Sequence, residues 1–348
     1  MTLSQISDIL LDETSSSASL REALDAFAQL CSEVSDIAPD PSFDAWAGDS
    51  LLKDGVAIAP EAAAHCVKDY QRSVVFIRAV HAAINAARAR FADQRIEILY
   101  AGCGPFATLL LPLLGRFTAG ELDVHLLDIH QQSLDSAQRL IEHFGLQVHR
   151  IQYVQDDACS YRHPGKPHLI IAETMQKSLE QEPQFAVTAN LAPQLHARGI
   201  FVPQKIEVEL CLADLDSETT AYKRGDSLDT GTLVNTGKRH SLATVLCLTA
   251  EHAATLLQQA RLDKTTGVVE LNPMQVTIPP VAKLDNLDAL LFTHIQAFGQ
   301  HQLLDYESEI TLPLRCTEMA PLQVGVSYRV SFQLGSYPKF CIARMDNE

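Results

Sequence analysis

No Cys-x-x-Cys pair occurs in this chain of 348 residues, although it contains eight cysteines, at positions 31, 66, 103, 159, 211, 247, 316 and 341. Their scatter signals neither a zinc site nor a disulfide framework, so no metal is expected and reduced thiols in a cytoplasmic protein are the simplest account. Positive charge is also scarce. Lys plus Arg number 27 against 43 Asp plus Glu, a net charge of −16, whereas a general nucleic-acid binder or a protein held on an anionic membrane needs concentrated positive surface. No nucleic acid and no membrane are expected as partners, and cationic or neutral ligands are favoured. Long apolar runs are missing too. None approaches the ~18 residues needed to span a bilayer, and the polar start Met1-Thr-Leu-Ser-Gln5 places no basic segment ahead of an apolar one, so an unexported protein is expected. Neither an internal repeat nor a low-complexity tract is present.

The chain is longer than the usual single domain of about 100–200 residues, which implies separate structural parts sharing a cleft. Residues 1–90 form a helical region. Apolar Ile6, Ile9, Leu10, Leu20, Leu24, Phe27 and Leu30 recur at helical spacing, with a break at the serine run 15–17. After the Pro39–Pro41 break and a loop with Gly48 and Gly55, Pro60 opens a helix expected to run to about Arg90. Residues 91–203 then alternate: strand 96–101, helix 106–114, strand 122–128, helix 133–144, strand 148–154 and strand 168–172. That alternation implies an α/β fold with a Rossmann-like, doubly wound parallel sheet. From 204 to 348 short runs at 205–213, 241–248, 266–278, 306–313 and 326–334 read as strands, with helices near 250–259 and 284–298. A C-terminal antiparallel, β-barrel-like domain is expected there. Residues 216–240 are polar and turn-rich.

Four features carry chemistry. The run Ile96-Glu-Ile-Leu-Tyr-Ala-Gly-Cys-Gly-Pro-Phe-Ala107 places Gly102 and Gly104 at a strand-to-helix turn, where a Cβ would obstruct the approach of backbone N–H groups to a ligand. One strand–helix unit later, Asp128 ends the next strand, where an acid can accept from both hydroxyls of a ribose. The third glycine of the dinucleotide fingerprint is replaced by Phe106-Ala107, which fits a pyrophosphate poorly and S-adenosyl-L-methionine better. Gln155-Asp-Asp-Ala158 follows the next strand, where Asp157 and Ala158 are placed to meet an adenine. Finally, Ala172-Glu-Thr-Met-Gln-Lys-Ser-Leu-Glu-Gln-Glu182 sets Glu173 and Glu182 in a loop after an apolar strand, two carboxylates able to hold a cation. Residues His65, His130, His168 and His196 read as packed or capping histidines, since no Ser or Cys nucleophile motif accompanies them, and Cys103 reads as a small packing residue.

Several of these stretches resemble protein arginine methyltransferases. The segment Asp69-Tyr-Gln-Arg-Ser-Val-Val-Phe76 is similar to that family's Asp-x-x-Arg-Thr-x-x-Tyr helix, and the resemblance assigns Arg72 to the methionyl carboxylate of S-adenosylmethionine. The Glu173–Glu182 loop resembles the double-glutamate hairpin of the family, including Met175, which the resemblance places near the sulfonium. The segment Leu191–Pro203 resembles the piece that follows it. The match covers about residues 65–210, and dimers in the family imply a homodimer. Other elements depart from the pattern. The tyrosine-rich helix before Arg72 has at most a loose echo in Phe43-Asp-Ala-Trp46. The Thr-His-Trp loop is missing, its nearest counterpart being Arg315-Cys-Thr-Glu318. Both shape a peptide groove in the family, so the expected activity is N-methyl transfer to a small-molecule guanidino substrate, with free arginine a candidate. The alternative is a transfer of another group of S-adenosylmethionine, or its intramolecular cyclisation with release of methylthioadenosine.

Overall fold

The structure, a computed structural model, describes residues 1–39, 49–218, 239–262, 264 and 268–345. Phe43–Trp46, Gly48 and most of the stretch 216–240 lie outside the described residues. The serine run near the N-terminus acts as a helix boundary. Thr2 caps α1 (Leu3–Leu11) in a capping box with Gln5, and the Ser16 hydroxyl accepts from Ser19 N to open α2 (Ser17–Ser35). A two-strand hairpin follows, β1 (Ser50–Leu51) and β2 (Val56–Ala57).

The helix expected from Pro60 to Arg90 is divided. α3 (Pro60–His65) begins at the proline, a 3-10 turn covers Cys66–Lys68, and α4 (Tyr70–Arg90) starts afresh after Asp69. The division follows from Asp69, whose carboxylate accepts from the Arg72 backbone N–H at 3.4 Å and so satisfies a donor that a continuous helix would have used internally. This restart places Arg72 in the first turn of a long helix whose other face is fully buried.

The central sheet has five parallel strands in the order β5-β4-β3-β6-β7, comprising β3 (Ile96–Ala101), β4 (Leu122–Asp128), β5 (Arg150–Gln155), β6 (Leu169–Ala172) and β7 (Ile200–Val202). Between them lie α5 (Leu111–Leu114), α6 (Gln131–His143) and α7 (Gln184–Leu191). The helix expected over 106–114 is only the four residues of α5. Ala107 at φ +42° turns the chain instead of extending a helix. The chain winds outward from β3 to β5 and then returns to β6 beside β3, so the direction of winding reverses between β3 and β6.

Two antiparallel sheets follow. One runs β13-β12-β8-β9 and the other β10-β11-β15-β16, from β8 (Lys205–Ala213), β9 (Arg239–Thr249), β10 (Arg261–Leu262), β11 (Val269–Thr277), β12 (Asp288–Phe298), β13 (His301–Leu303), β15 (Ser327–Leu334) and β16 (Lys339–Arg344), while β14 (Leu314–Arg315) pairs with β12. α8 (Ala250–Gln258) connects β9 to β10. Two expectations are corrected here. The segment 284–298 is not a helix but a 3-10 turn leading into β12. Residues Ala289–Thr293 of that strand are all buried, so both faces of that stretch are covered and it loses the alternation that marks a strand. The run 306–313 is not a strand either, because Ser308 caps a 3-10 turn at Glu309–Thr311.

One apolar core runs through all of this, from Ile6 and Phe27 in the N-terminal helices through Ile98 in the central sheet to Val208 and Phe332 in the antiparallel sheets. Among the described residues no helix is long and apolar enough to cross a membrane.

Candidate functional site

β3 and β6 are hydrogen-bonded neighbours with Ala101 opposite Ala172, so the glycine turn after β3 and the glutamate loop after β6 leave the sheet side by side. The contact between them is close. Gly102 has φ +67°, and a Cβ there would stand 2.4 Å from Thr174 Cγ2. Thr174 has little freedom to retreat, because its N–H donates to Gln184 Oε1 at 2.9 Å and its hydroxyl donates to the same oxygen at 3.2 Å. Gly102→Ala therefore combines a left-handed alanine with a steric clash, and a loss of more than about 2 kcal/mol in the urea unfolding free energy is expected. Unchanged stability would show that the turn is not held as described.

Asp128 closes β4 and is 8% exposed. Gly104 N donates to its Oδ2 at 2.9 Å and His130 N to its Oδ1 at 2.9 Å. A carboxylate offers about four acceptor positions, so two remain for hydroxyl groups of a ligand. On the other side of β4, Asp157 follows β5 and accepts from Cys159 N at 2.8 Å, and the Ala158 carbonyl accepts from Asn190 Nδ2 at 2.9 Å.

The glutamate loop is strained and pinned. Ser178, Leu179 and Gln181 all adopt positive φ (56°, 57° and 67°) without being glycine, a conformation that costs roughly 1 kcal/mol or more per residue and persists only where the surroundings impose it. The surroundings here include the C-terminal sheets. Ser178 N donates to Thr293 Oγ1 on β12 at 2.9 Å, and Gln181 N donates to the Pro338 carbonyl at 2.7 Å. The N-terminal hairpin adds a third hold, with Val56 N donating to the Gln181 carbonyl at 2.8 Å. Gly55 packs against Pro183 so closely that a Cβ would come within 2.7 Å of the proline nitrogen. Three regions distant in sequence thus converge on the two glutamates.

Glu173 is paired. Arg72 Nη2 lies 2.5 Å from both Oε1 and Oε2 of Glu173, with side chains 11% and 10% exposed. Burial opposes the charge on Arg72, but Glu173, together with Cys66 and Glu182, more than offsets it and holds its pKa above the ordinary range. Glu182 is 7% exposed. Burial, reinforced by the nearby Glu173 carboxylate, pushes its pKa up to about 8, against opposing contributions from Arg72 and Gln176. Asp69 secures the start of α4 to the C-terminal part, its Oδ2 accepting from Ser308 Oγ at 2.6 Å and Glu309 N at 3.0 Å.

Arg72, Gly102, Gly104, Asp128, Asp157, Ala158, Glu173 and Glu182 all line one cleft of about 1020 Å3, counted to its open mouth. Met175 does not line it. It is fully buried in the main core. Burial pushes the two cysteine thiols of the cleft up, Cys66 to about 11 and Cys103 well above its usual value, so neither is a thiolate nucleophile near neutral pH.

Sequence reasoning missed several contributors. Leu52, Val56, Ala57 and Ile58 form a wall of the cleft, and His130 Nε2 lies 3.0 Å from Ser50 Oγ, tying that wall to the end of β4. Gln184 was overlooked as well. It is fully buried, and its amide holds Thr174 as described while Nε2 donates to the Ala172 carbonyl at 3.1 Å. Gln184→Ala strands those groups without partners, and a cost of about 1–3 kcal/mol is expected in thermal or urea unfolding. A variant as stable as the parent would remove Gln184 from the account.

A doubly wound α/β protein with its cleft outside the carboxyl ends of the strands, where the winding reverses, has the architecture in which such sheets hold nucleotide-type ligands. Solved structures that resemble it include two arginine methyltransferase structures. One is a Trypanosoma brucei PRMT1 enzyme–prozyme heterotetrameric complex with AdoHcy, at 12% identity and TM-score 0.46, covering 81% of this chain and 96% of that one. The other is an open conformation of Arabidopsis thaliana protein arginine methyltransferase 10, at 12% identity and TM-score 0.46, covering 77% of this chain and 86% of that one. No protein-family profile and no curated protein matches the sequence.

Proposed function

We propose that the cleft binds S-adenosylmethionine and that the protein transfers its methyl group to a nitrogen of a small cationic guanidino compound, such as free arginine. Glu182 is the observation that carries this reading. It is a buried carboxyl beside a second carboxylate whose arginine partner is already engaged, so a guest cation would relieve the cost of ionising it. At this end of the cleft Arg72 is, among the described residues, the one cation facing the two glutamates, so ionising Glu182 leaves a negative charge without a partner.

The residues fit the cofactor. Gly102 and Gly104 keep the turn free of Cβ atoms, Asp128 has acceptor positions left for ribose hydroxyls, and Asp157 with Ala158, which line the cleft beyond β5, would meet the adenine. When bound, the cofactor supplies an electrophilic methyl group on a sulfonium. Arg72 is a two-pronged donor for the carboxylate of its amino-acid part. Glu173 and Glu182 would accept from guanidinium N–H groups, orient one nitrogen in line with the methyl group and stabilise charge as the bond forms. A strong base is unnecessary, because the guanidinium need only be held until its nitrogen has begun to bond and its acidity has risen.

Rates should depend on pH through Glu182. The carboxyl must be ionised to hold a cation, and the guanidinium, with a pKa above about 12, stays charged throughout. kcat/KM is therefore expected to rise as pH approaches 8 and level off above it, following the free-enzyme pKa of about 8. In Glu182→Gln that limb should vanish. The reading as a whole is tested by incubating the protein with S-adenosylmethionine and a panel of guanidines and amines, then identifying the nucleoside product. S-adenosylhomocysteine with a methylated guanidine supports it. Methylthioadenosine formed without any acceptor replaces it with an intramolecular reaction.

A further inference from the structure

The face of the central sheet that carries Leu99, Ala101 and Leu127 is apolar near the cleft, but at the opposite end of the strands it turns polar. Side chains alternate along a strand, so Glu97 on β3 and Asp123 and His125 on β4 share this face, with Glu97 directly opposite Asp123 and Leu99 opposite His125. His163, from the connection between β5 and β6, closes over them. Its Nε2 lies 2.7 Å from Glu97 Oε1, and His125 Nε2 lies 3.6 Å from the same oxygen. The two rings meet edge to face at 4.5 Å, and the side chains of His163 and His125 are 0% and 5% exposed. From Glu97 to the glycine turn is five residues of strand, about 17 Å, so this cluster is separate from the cleft.

We propose that Glu97, His125 and His163 form a binding site for a divalent transition-metal cation of the zinc class. One ligand atom from each residue lies within 4.8 Å of the other two. A tetrahedral ion with bonds of about 2.0–2.1 Å needs donors about 3.3–3.4 Å apart, a spacing that small side-chain adjustments reach. Two imidazoles with one carboxylate are a donor set suited to zinc and its neighbours rather than to calcium or magnesium. A lone His163–Glu97 ion pair accounts for less. It leaves His125 Nε2 3.6 Å from Glu97, with only a long contact to Gln152 Nε2 at 3.3 Å that an ion would displace, and it leaves Asp123 Oδ1, 3.8 Å from that nitrogen, buried with no hydrogen-bond partner. An ion ligated by both rings would engage His125, and Asp123 Oδ1 is positioned to accept from water in a remaining coordination position.

Two more observations agree. Tyr161 OH lies 3.3 Å from His163 Nδ1, the partner a metal-bound histidine needs on its other nitrogen. Gly165 leaves room at the carboxylate, since a Cβ there would stand 3.1 Å from Glu97 Oε1. The ion would anchor the chain from β5 to β6. Asp157 and Ala158 begin that same connection, and the Asp157 carbonyl accepts from Tyr161 N at 2.8 Å.

The full chain, stripped with a chelator, is titrated with cobalt(II) and then with zinc(II). One equivalent of cobalt per chain is expected, with the intense d–d bands of a four- or five-coordinate site, displaced stoichiometrically by zinc. Zinc should also raise the thermal unfolding midpoint of the parent protein, reversibly on chelation. Glu97→Gln, which keeps shape at a partly exposed position, and His125→Gln should each weaken binding by more than about tenfold. The thermal measurement on the unmodified chain keeps the test valid if His125→Gln folds poorly. Absence of these bands in the parent protein, or bands and stoichiometry unchanged in Glu97→Gln, would overturn the assignment.

Discussion

Replacing Glu173 and Glu182 together with glutamine is expected to lower turnover by at least about 10²–10³-fold, with an effect on S-adenosylmethionine affinity no larger than that of Glu173→Gln alone. Glutamine preserves shape and part of the hydrogen bonding but removes the charge that would offset an incoming guanidinium. The single variants should differ. Glu173→Gln takes away the partner that Arg72 holds at 2.5 Å, so it is expected to affect cofactor binding as well as rate. Glu182→Gln removes a carboxyl whose pKa is raised from 4.5 to about 8 by burial and by Glu173. A raised pKa means that the folded state binds the proton more tightly than the unfolded chain. The stabilising contribution is complete below the unfolded value and is lost as pH rises through about 8. Glu182→Gln should therefore be more stable than the parent protein above pH 8 and far less active, the exchange expected where a site keeps an unfavourable charge for its function. Circular-dichroism melts at two pH values alongside initial rates check both halves. A double variant with parental turnover would remove the carboxylates from the chemistry.

Arg72 carries the second large effect. Arg72→Ala leaves Glu173, with only 10% of its side chain exposed, without its cationic partner and beside Glu182. Breaking a buried pair from one side costs about 3–5 kcal/mol, so this variant should unfold at markedly lower urea concentration and bind S-adenosylmethionine poorly. Arg72→Lys separates the two roles. An ammonium keeps the charge that Glu173 requires but loses the planar fork that engages a carboxylate with two parallel bonds. It is expected to retain most of the stability while weakening cofactor affinity by about tenfold or more, roughly one such charge-assisted hydrogen bond. Calorimetric titration of S-adenosylhomocysteine into both variants measures this. Equal affinity in Arg72→Lys and the parent would assign Arg72 to the fold alone.

The parts of the site that were legible in the sequence are those whose chemistry is local. Gly102 and Gly104 follow an apolar strand at once, Asp128 ends the next one, and Glu173 with Glu182 sits just past a third, so strand-ending positions alone bring them together in a parallel sheet. Arg72 was readable from the motif around it, although the helix restart at Asp69 was not, because an aspartate inside a helical pattern marks a cap only once its bonds are seen. What stayed hidden depends on distant partners. The hairpin wall at 50–57 is built from two-residue strands with no periodicity to detect. Gln184 acts through the Thr174 N–H and the Ala172 carbonyl, supplied by the end of β6 and the loop after it. β12 is buried on both faces over Ala289–Thr293, which removes the alternation and leaves an apolar run that equally suits a helix. Glu97, His125 and His163 are separated by intervals of 28 and 38 residues, and only the parallel register and the folding back of one connection make them neighbours.

The central claim is that a guanidinium is held by Glu173 and Glu182 beside the reactive methyl group of the cofactor. A compound that joins the two addresses it directly, namely an S-adenosylhomocysteine analogue carrying a guanidine on a short linker at the methyl-bearing position, titrated calorimetrically against S-adenosylhomocysteine itself. The account predicts that the joined compound binds at least about 10²-fold more tightly and that the gain disappears in the variant with both glutamates replaced by glutamine. Affinity no greater than that of S-adenosylhomocysteine, or a gain that survives in that variant, would contradict it.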